Sequence, residues 1–424
     1  MMKGWKHDKF KNQIQYKSGY TWSKEQELHT QEPNAVRVLT VTNVQKELDL
    51  KEELYLKDVS EKDKVDKAVS KDWCIAVSSN GNRKRIGNAV FIKDDTDYLF
   101  ASFLTAFRPK PNSEIIPEFF FRWLSSHFVQ ERLTSVSEGT TGLGNLDIRF
   151  LRNLDICFPD KHVQTAIANI LSKVDEAITS VQNTIAAAER LKKSLMQNLL
   201  TGKMKPDGTF RTPEEFYIDE KFGKVPTGWE VKRIKDFGEI QTGKTPPTDE
   251  PEVFSDKENG FMFITPGDLD VVKYIEETER FVSEKGIRYS YVLPKGSVCE
   301  VCIGSTIGKI GITTAKCCSN QQITSVIVND EHDAEYLYYA MLSRREHFKS
   351  VAGINATPQI NKSGYSKYRV LCPKDKLEQI SIAKGISSVD KSINEQEQKI
   401  NSLEQLKKSL MQNLLTGIIQ LTKI

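Results

Sequence analysis

Two segments of the sequence have residue types and spacings that could support chemistry, and the first is a candidate phosphate-binding loop. Residues 238–245 read GEIQTGKT and satisfy the G-x-x-x-x-G-K-[ST] pattern found in nucleotide hydrolases. Such a loop needs a buried strand before it and a helix directly after it, because the helix N-terminus holds the phosphate. Pro246 and Pro247 follow at once, and a proline disfavours helical geometry in the residue before it. We therefore interpret the segment as a turn after a strand.

The second segment is a candidate zinc site, with Cys299 and Cys302 followed by the adjacent pair Cys317 and Cys318. Structural zinc sites usually place roughly two to four residues between paired cysteines, so the second pair does not fit. No two histidines have i, i+4 spacing, and the motifs of serine hydrolases, zinc proteases and amino-methyltransferases are missing. The sequence therefore predicts buried free thiols, no metal, no bound cofactor and no catalytic residue in this chain.

Composition limits the class of protein. The chain has 424 residues, 38% of them hydrophobic and 28% charged, with a formal charge of +3. It is long enough for two or three domains, and no apolar run approaches the ~20 residues that span a bilayer. The first residues lack the apolar core of a signal peptide, and seven cysteines give no disulfide framework. We expect a cytoplasmic protein, and any nucleic-acid contact must come from local patches.

The most informative feature is an internal repeat. The sequence LKKSLMQNLLTG occurs at residues 191–202 and again, unchanged, at 406–417, and the alignment extends upstream without a gap to Lys161 and Lys376. A fainter match pairs Gly4-Trp5 with Gly228-Trp229. Between these conserved parts the two halves diverge. The sequence therefore predicts a variable–constant–variable–constant organisation.

Each constant segment has the pattern of a long helix with one narrow apolar stripe. Apolar residues recur every three or four positions, and Gly202 and Gly417 stand where a helix usually ends. A stripe of this length needs a partner of equal length, and the other copy is the obvious candidate. The predicted seam of this coiled coil consists of Val174, Ile178, Ile185, Leu195 and Leu199 in the first copy and Val389, Ile393, Ile400, Leu403, Leu410 and Leu414 in the second.

The variable segments have mixed helix and strand patterns. Strands are predicted at residues 37–42, 73–77, 261–265, 297–303 and 322–328, and helices at 117–133 and 333–348. Residues 203–227, rich in glycine, proline and charge, are predicted to be a surface linker.

With two divergent segments, each followed by a long helix that ends in LLTG, the chain resembles the DNA specificity subunit of type I restriction–modification systems. Several stretches of the second half are similar to that family's target-recognition domain. They are residues 226–230 (PTGWE), 243–246 (GKTP), 263–269 (FITPGDL), 304–311 (GSTIGKIG) and 319–323 (SNQQI). The first half keeps the pattern more loosely, with residues 38–44 (VLTVTNV), which lack the Pro and Asp of FITPGDL, and 82–87 (NRKRIG).

The resemblance implies an α+β fold with internal pseudo-two-fold symmetry, in which two mixed α/β target-recognition domains are separated by two long helices that form an antiparallel coiled coil. The implied order is recognition domain 1–159, helical region 160–202, linker 203–227, recognition domain 228–374, helical region 375–417 and tail 418–424. It also implies a subunit without catalysis of its own. Its partners would be double-stranded DNA, two modification subunits that use S-adenosylmethionine, and two restriction subunits that use ATP with Mg²⁺.

Two unlike recognition domains predict an asymmetric, bipartite target with an unread spacer. The symmetry also predicts that the chain termini lie close together. The DNA-contact candidates are cations, amides and hydroxyls in turns, which suit phosphate contact and base readout; an ordinary solvated turn is the alternative for each. They are Asn80, Asn82, Arg83, Lys84, Arg85, Thr141 and Asn145 in the first half, and Lys244, Ser305, Thr306, Lys309, Asn320, Gln321, Gln322, Gln359, Asn361 and Lys362 in the second.

Three other functions stay open from the sequence. The chain could serve a stand-alone or fused methyltransferase, which changes its partner and not its role on DNA. It could be a coiled-coil adaptor that never contacts DNA, which predicts no salt-dependent duplex binding. An ATPase rests only on GEIQTGKT and predicts hydrolysis that depends on Lys244.

Overall fold

The computed structural model describes residues 4–45, 47–136, 144–353 and 358–419. The chain forms two compact units, which we call unit 1 (residues 1–183 with 397–424) and unit 2 (residues 184–396). Among the described residues, no helix combines the length and the apolar character needed to cross a bilayer.

Unit 1 is built mainly of short strands and short helices. They are β1 (Lys6–Lys9), α1 (Phe10–Gln13), β2 (Ile14–Ser18), β3 (Glu27–Leu28), β4 (Val36–Leu39), β5 (Tyr55–Leu56), α2 (Glu61–Lys67), β6 (Cys74–Val77), β7 (Ser79–Asn80), β8 (Ala89–Phe91), β9 (Leu99–Phe100), β10 (Leu104–Pro109), α3 (Pro117–Leu124), α4 (His127–Ser135), β11 (Gly144–Asn145), α5 (Ile148–Asn153) and β12 (Asp155–Phe158). The long helix α6 (Lys161–Leu199) starts in this unit and ends in unit 2.

The central sheet of unit 1 has the strand order β2-β10-β6-β8, with all neighbours antiparallel. β6 is buried at every position, as expected for an apolar run in the middle of a sheet. A second sheet, β3-β5-β4-β9, includes one parallel pair, β4 with β9. The helix predicted at 117–133 is interrupted at Ser125–Ser126, where the Ser126 hydroxyl donates to the Trp123 carbonyl and offers the backbone an alternative to the helix.

Unit 2 has a similar set of elements. They are β13 (Phe216–Asp219), β14 (Gly223–Pro226), β15 (Trp229–Arg233), β16 (Gly238–Thr242), β17 (Phe254–Ser255), β18 (Phe261–Ile264), β19 (Tyr274–Ile275), β20 (Arg280–Val282), α7 (Glu284–Ile287), β21 (Val298–Val301), β22 (Ile310–Thr313), β23 (Cys317–Ser319), β24 (Ile323–Val328), α8 (Ala334–Ser343), α9 (Arg345–Val351), α10 (Lys362–Lys367) and β25 (Arg369–Pro373). The second long helix, α11 (Lys376–Leu415), starts here and ends in unit 1.

The sheets of unit 2 repeat those of unit 1. Its main sheet, β16-β24-β21-β22-β19, matches β2-β10-β6-β8 strand for strand and adds β19 at one edge. Its second sheet, β17-β20-β18-β23, again contains one parallel pair, β18 with β23. The divergent halves of the sequence therefore build the same framework.

The two long helices pack against each other within both units. In unit 1, Leu171 of α6 shares a buried cluster with Leu414 and Leu415 of α11; in unit 2, Leu199 shares one with Ile382 and Ile386. The start of each helix thus meets the end of the other, so the packing is antiparallel. Of the predicted seam residues, Val174, Leu199, Ile393 and Leu414 are buried, and Ile178, Ile185, Leu195, Val389, Ile400, Leu403 and Leu410 are half-buried.

The segment predicted to be a surface linker folds onto unit 2. Its β13 and β14 form an antiparallel hairpin, and Arg211, before the hairpin, makes a 2.5 Å ion pair with Glu378 of α11. Glu378 also accepts a hydrogen bond from the Trp229 ring nitrogen at 3.1 Å. A buried ion pair holds its segment in place, because separating the partners would leave a charge unpaired.

Candidate nucleic-acid interface

The basic turn of unit 1 joins β7 to β8 and contains most of the candidates from the first half. The Asn80 side chain accepts the backbone N–H of Asn82 at 2.8 Å, and the Asn82 side chain accepts that of Lys84 at 3.1 Å. Gly87 then closes the turn with φ +86°, a conformation that favours glycine. These bonds hold Asn82, Arg83 and Lys84 outward, and all three are exposed.

Arg85 belongs to the same turn but points inward. It is half-buried, and its guanidinium donates at 2.9 Å to the carbonyls of both Val41 and Val44. These bonds connect the basic turn to the segment after β4. Because two of its donors are used, Arg85 has fewer left for DNA than its neighbour Arg83.

A second candidate segment of unit 1 lies beside this turn. β11 pairs with β7, so Asn145 stands opposite Ser79, and Asn145 is exposed. A Cβ atom on Gly144 would lie 3.0 Å from Cγ of Arg83, so the stem of that arginine crosses the glycine. The structure therefore places Arg83 against the strand that carries Asn145. Thr141 lies outside the described residues.

The equivalent turn of unit 2 joins β21 to β22. Gly308, with φ +84°, donates its N–H to the Val301 carbonyl as Gly87 does to Val77. Ser305 is exposed, whereas Thr306 and Lys309 are half-buried. The Lys309 ammonium donates to the Pro266 carbonyl at 3.3 Å, which connects this turn to the segment after β18.

The turn between β23 and β24 carries three more candidates. The side chains of Asn320 and Gln322 bond to each other at 3.1 Å, and Gln322 also donates to the Ile303 carbonyl at 3.4 Å. Gln321 is exposed, and its side-chain oxygen accepts from the Thr245 hydroxyl at 2.5 Å. The amides of Asn320 and Gln322 therefore brace the turn, while Gln321 lies outward.

The GEIQTGKT segment is a turn after a strand, as its prolines indicated. Its first residues form β16, and no helix follows between residues 243 and 253. A Cβ atom on Gly243 would lie 2.1 Å from the Asn320 carbonyl oxygen, so glycine is needed for close backbone approach. Lys244 is exposed and donates its N–H to the Ser319 carbonyl, which places it beside the 320–322 turn.

Residues 358–362 complete the group in unit 2. Gln359 is exposed and forms a bridge with Ile303, and the Gly304 N–H donates to the Pro358 carbonyl at 3.0 Å. The Asn361 side chain accepts the Gly364 N–H and caps α10, and Lys362 is exposed at the start of that helix. In each unit, the candidate segments therefore meet at the end of the main sheet.

Two residues of this framework, Asn43 and Phe103, are not evident from the sequence patterns. Asp268 accepts the Thr265 N–H at 2.7 Å, and Asn43 accepts the Thr40 N–H at 2.8 Å in the same way. Asn43 thus takes the place of the aspartate that VLTVTNV lacks, since either side chain supplies the acceptor oxygen. The other is Phe103, which lies 52% exposed beside the basic turn; alignment of ASFLT with SNQQIT would have placed it.

The cysteines behave as core residues. Cys299, Cys302, Cys317 and Cys318 are all buried and free. Burial raises the pKa of Cys299 to about 12 and that of Cys318 to about 11, so these thiols stay protonated and are poor metal ligands. Among the described residues, no group of three or more His, Cys, Asp or Glu side chains is placed to hold a metal ion.

Comparisons with known proteins give one family. The model of the type I restriction modification DNA specificity domain matches residues 2–190 and 226–405. The HindI specificity subunit of Haemophilus influenzae is 27% identical over 366 residues, which cover 72% of this chain and 78% of that subunit. The MjaIX specificity subunit of Methanocaldococcus jannaschii is 31% identical over 187 residues, 43% of this chain and 42% of that subunit.

Solved structures share the fold. The S subunit of a type I restriction–modification system from M. genitalium aligns with a TM-score of 0.60 at 16% identity, covering 97% of this chain and 96% of that one. A chain from a type I R-M system solved for its assembly and conformational transition aligns with a TM-score of 0.56 at 14% identity, covering 97% and 98%.

Proposed function

This chain belongs to the family of type I restriction–modification DNA specificity domains, and from that membership we propose that it selects an asymmetric, bipartite DNA target, one half through each unit. It is a specificity subunit that recognises DNA for its complex, with no catalysis and no cofactor of its own. The proposed recognition domains are residues 1–159 and 228–374, joined to the helical regions 160–202 and 375–417.

One observation supports a bipartite target. The two units have the same backbone arrangement at the candidate interface, but they differ in the side chains at equivalent positions. The Ser78 N–H donates to the Phe103 carbonyl at 2.8 Å, and the Cys302 N–H donates to the Gln322 carbonyl at 2.8 Å. On this common frame, unit 1 exposes Arg83 and unit 2 exposes Ser305. Because sequence is read by side chains on base edges, we infer that the half-sites differ.

The contacts within each unit divide the candidates into two roles. The exposed ones are free to reach bases or phosphates: Asn82, Arg83, Lys84 and Asn145 in unit 1, and Lys244, Ser305, Gln321, Gln359 and Lys362 in unit 2. The half-buried ones hold turns in place through internal hydrogen bonds: Asn80, Arg85, Lys309, Asn320 and Gln322. Asn361 is exposed and also caps α10, so it belongs to both groups. We assign Thr306, half-buried, to the second group.

The chain works with DNA and with other subunits of a restriction–modification complex. We propose two modification subunits that methylate adenine with S-adenosylmethionine, two restriction subunits that use ATP and Mg²⁺, and a cytoplasmic complex. Two identical docking partners need two equivalent surfaces. The repeat supports this, because α6 and α11 end in the same twelve-residue sequence, LKKSLMQNLLTG with its glycine just past each helix.

Sequencing of methylated adenines in cells that carry this chain and its modification subunit tests the proposal. We expect two short specific stretches separated by unspecified bases. A single continuous motif would contradict it.

A second experiment assigns the halves. Replacing residues 1–159 by the equivalent segment of another family member should change one half of the motif and leave the other half unchanged. If the complex instead shows no salt-dependent binding to duplex DNA, the chain is an adaptor and not a recognition subunit.

A further inference from the structure

Phe103 is a large apolar side chain held in the open at the candidate interface of unit 1. It is 52% exposed, whereas the next residue, Leu104, is fully buried at the start of β10. The Phe103 carbonyl accepts the N–H groups of Ser78 at 2.8 Å and Ser79 at 3.1 Å. Those residues lead directly into the basic turn, so the ring and the exposed Asn82, Arg83 and Lys84 are held on one connected backbone.

The same position in unit 2 holds a polar residue, Gln322, whose amide braces its turn. Leu104 stands opposite Val77, and Ile323 stands opposite Val301, in the matching strand pairs of the two sheets. Phe103 therefore occupies the position of Gln322, and both carbonyls receive the equivalent N–H at 2.8 Å. The backbone is therefore equivalent in the two units while the side chain differs, an apolar ring in unit 1 and an amide in unit 2.

The exposure of this ring has a cost that the fold could avoid. Burying a phenylalanine contributes about 1.5–3 kcal/mol, and about half of that is lost for a ring that is half in water. A polar residue, such as the glutamine of unit 2, fits the same turn. The ring gains this energy only when a ligand covers it.

We propose that Phe103 reads a thymine of the first half-site by packing against its C5-methyl group. That methyl group lies in the major groove, where it is the apolar mark of a T·A pair and a known contact of phenylalanine. The neighbouring Arg83 and Lys84 supply donors for phosphates and guanines on either side. The assignment rests on the proposed function, since it needs unit 1 to face the bases of its half-site.

Deoxyuridine substitution tests this assignment, because uracil differs from thymine only in lacking that methyl group. The complex of this chain with its modification subunit would be titrated with target duplexes in which each thymine of the first half-site is replaced in turn. We expect one position at which uracil weakens wild-type binding about three- to fivefold, the effect of one buried methyl group. Phe103→Ala should bind the thymine duplex more weakly and show no further loss with uracil.

Two variants control for indirect effects. Tyr16→Ala removes a similarly exposed ring of unit 1, 44% exposed and paired with Phe107 on the sheet, and it should keep the uracil effect. Phe103→Leu keeps an apolar contact and should keep part of that effect. Two results would overturn the assignment of Phe103 without affecting the proposed function. One is a uracil effect that is unchanged in Phe103→Ala, and the other is a first half-site in which removing any thymine methyl group leaves binding unchanged. Wild-type binding without any sequence preference would overturn the proposed function with it.

Discussion

At the scale of single residues, the two arginines of the basic turn have different surroundings. Arg83 is exposed, and its stem lies against Gly144. Arg85 donates to two backbone carbonyls that precede it by some forty residues in the chain. We therefore expect Arg83 to contact DNA and Arg85 to stabilise the structure of the turn.

Alanine substitution should separate these roles. Arg83→Ala should cost ~1–3 kcal/mol of binding to the cognate site and relax one target position, with no change in the thermal unfolding midpoint. Arg85→Ala should lower that midpoint, because hydrogen bonds to a charged group contribute about 1.5–3 kcal/mol. Binding isotherms at several salt concentrations and thermal melts check both. Unchanged affinity and target in Arg83→Ala would remove it from the interface.

A buried carboxyl group beneath the other turn gives unit 2 a pH-sensitive residue. Glu300 is 1% exposed in the middle of β21, where unit 1 has the equivalent Ala76. Burial raises the pKa of Glu300 to about 8, even though the charge of Arg345 acts in the opposite direction. Arg345 also makes a 2.5 Å ion pair with Asp270, so charged groups surround this carboxyl.

The stability of the chain should therefore depend on Glu300 between pH 5 and pH 8. Native Glu300 keeps its proton up to about pH 8, whereas in the unfolded chain it is released near 4.5. The native state binds more protons in this window, so the free energy of unfolding falls as pH rises through it. Glu300→Gln should flatten that fall in thermal midpoints measured from pH 5 to 8. Exposed Glu220→Gln is the control, and parallel curves for wild type and Glu300→Gln would refute the assignment.

At the scale of elements, two equivalent Asp–Lys ion pairs join the long helices, one in each unit. Asp175 pairs with Lys407 at 2.6 Å in unit 1, and Lys192 pairs with Asp390 at 2.5 Å in unit 2. The repeat aligns Asp175 with Asp390 and Lys192 with Lys407. The lysine that interrupts the apolar stripe thus faces the partner helix, while its neighbours Leu191 and Leu406 are 51% and 47% exposed.

The two copies of this pair should differ in their contribution to stability. Asp175 also pairs with the buried Arg122, whereas Asp390 accepts from the neutral Tyr339 hydroxyl. Burial raises the pKa of Asp175, but Arg122 and Lys407 outweigh it and hold that pKa below its usual value. Asp175→Asn should lose about 1.5–3 kcal/mol at neutral pH, more than Asp390→Asn, and the loss should vanish as pH falls through the lowered pKa.

Chemical denaturation at pH 7 compares the two losses, and a series of lower pH values follows the loss for Asp175→Asn. Lys391→Ala is the control, because its ion pair with Glu395 is long, at 3.9 Å, and its side chain is 80% exposed; such a pair contributes little. Equal losses for Asp175→Asn and Asp390→Asn would contradict the role given to Arg122.

At the scale of the whole molecule, both ends of the chain lie in unit 1. Trp5 packs on the same buried cluster as Leu414 and Leu415 near the end of α11. In unit 2, the equivalent Trp229 shares a cluster with Leu199 and Leu200 of α6, and there the chain continues through the β13–β14 hairpin. The start of the chain therefore packs near the end of α11, just as β15 packs near the end of α6.

A circular permutant should fold and keep its target. In this permutant a short flexible linker joins Ile424 to Met1, and the chain is opened at the tip of the hairpin, between the exposed Glu220 and Lys221. This opening leaves the Arg211–Glu378 ion pair intact. We expect the wild-type methylation motif and a similar thermal midpoint. A permutant opened between Asn183 and Thr184, inside α6, should fail to fold. Failure of the hairpin permutant would count against the termini being neighbours.

The sequence by itself determined the repeat, the two long helices and the absence of catalytic motifs, because periodicity and identity are properties of contiguous residues. It also placed both candidate turns, since glycines and short polar side chains specify turns locally. Only the tertiary structure decided which candidates face outward. Arg85 and Gln322 match good DNA contacts by residue type, yet both are half-buried and bond within the fold. Phe103 is a core residue by type, yet it lies at the surface. The pairing of strands that lie far apart in the sequence fixes its position, and that pairing exists only in the folded sheet.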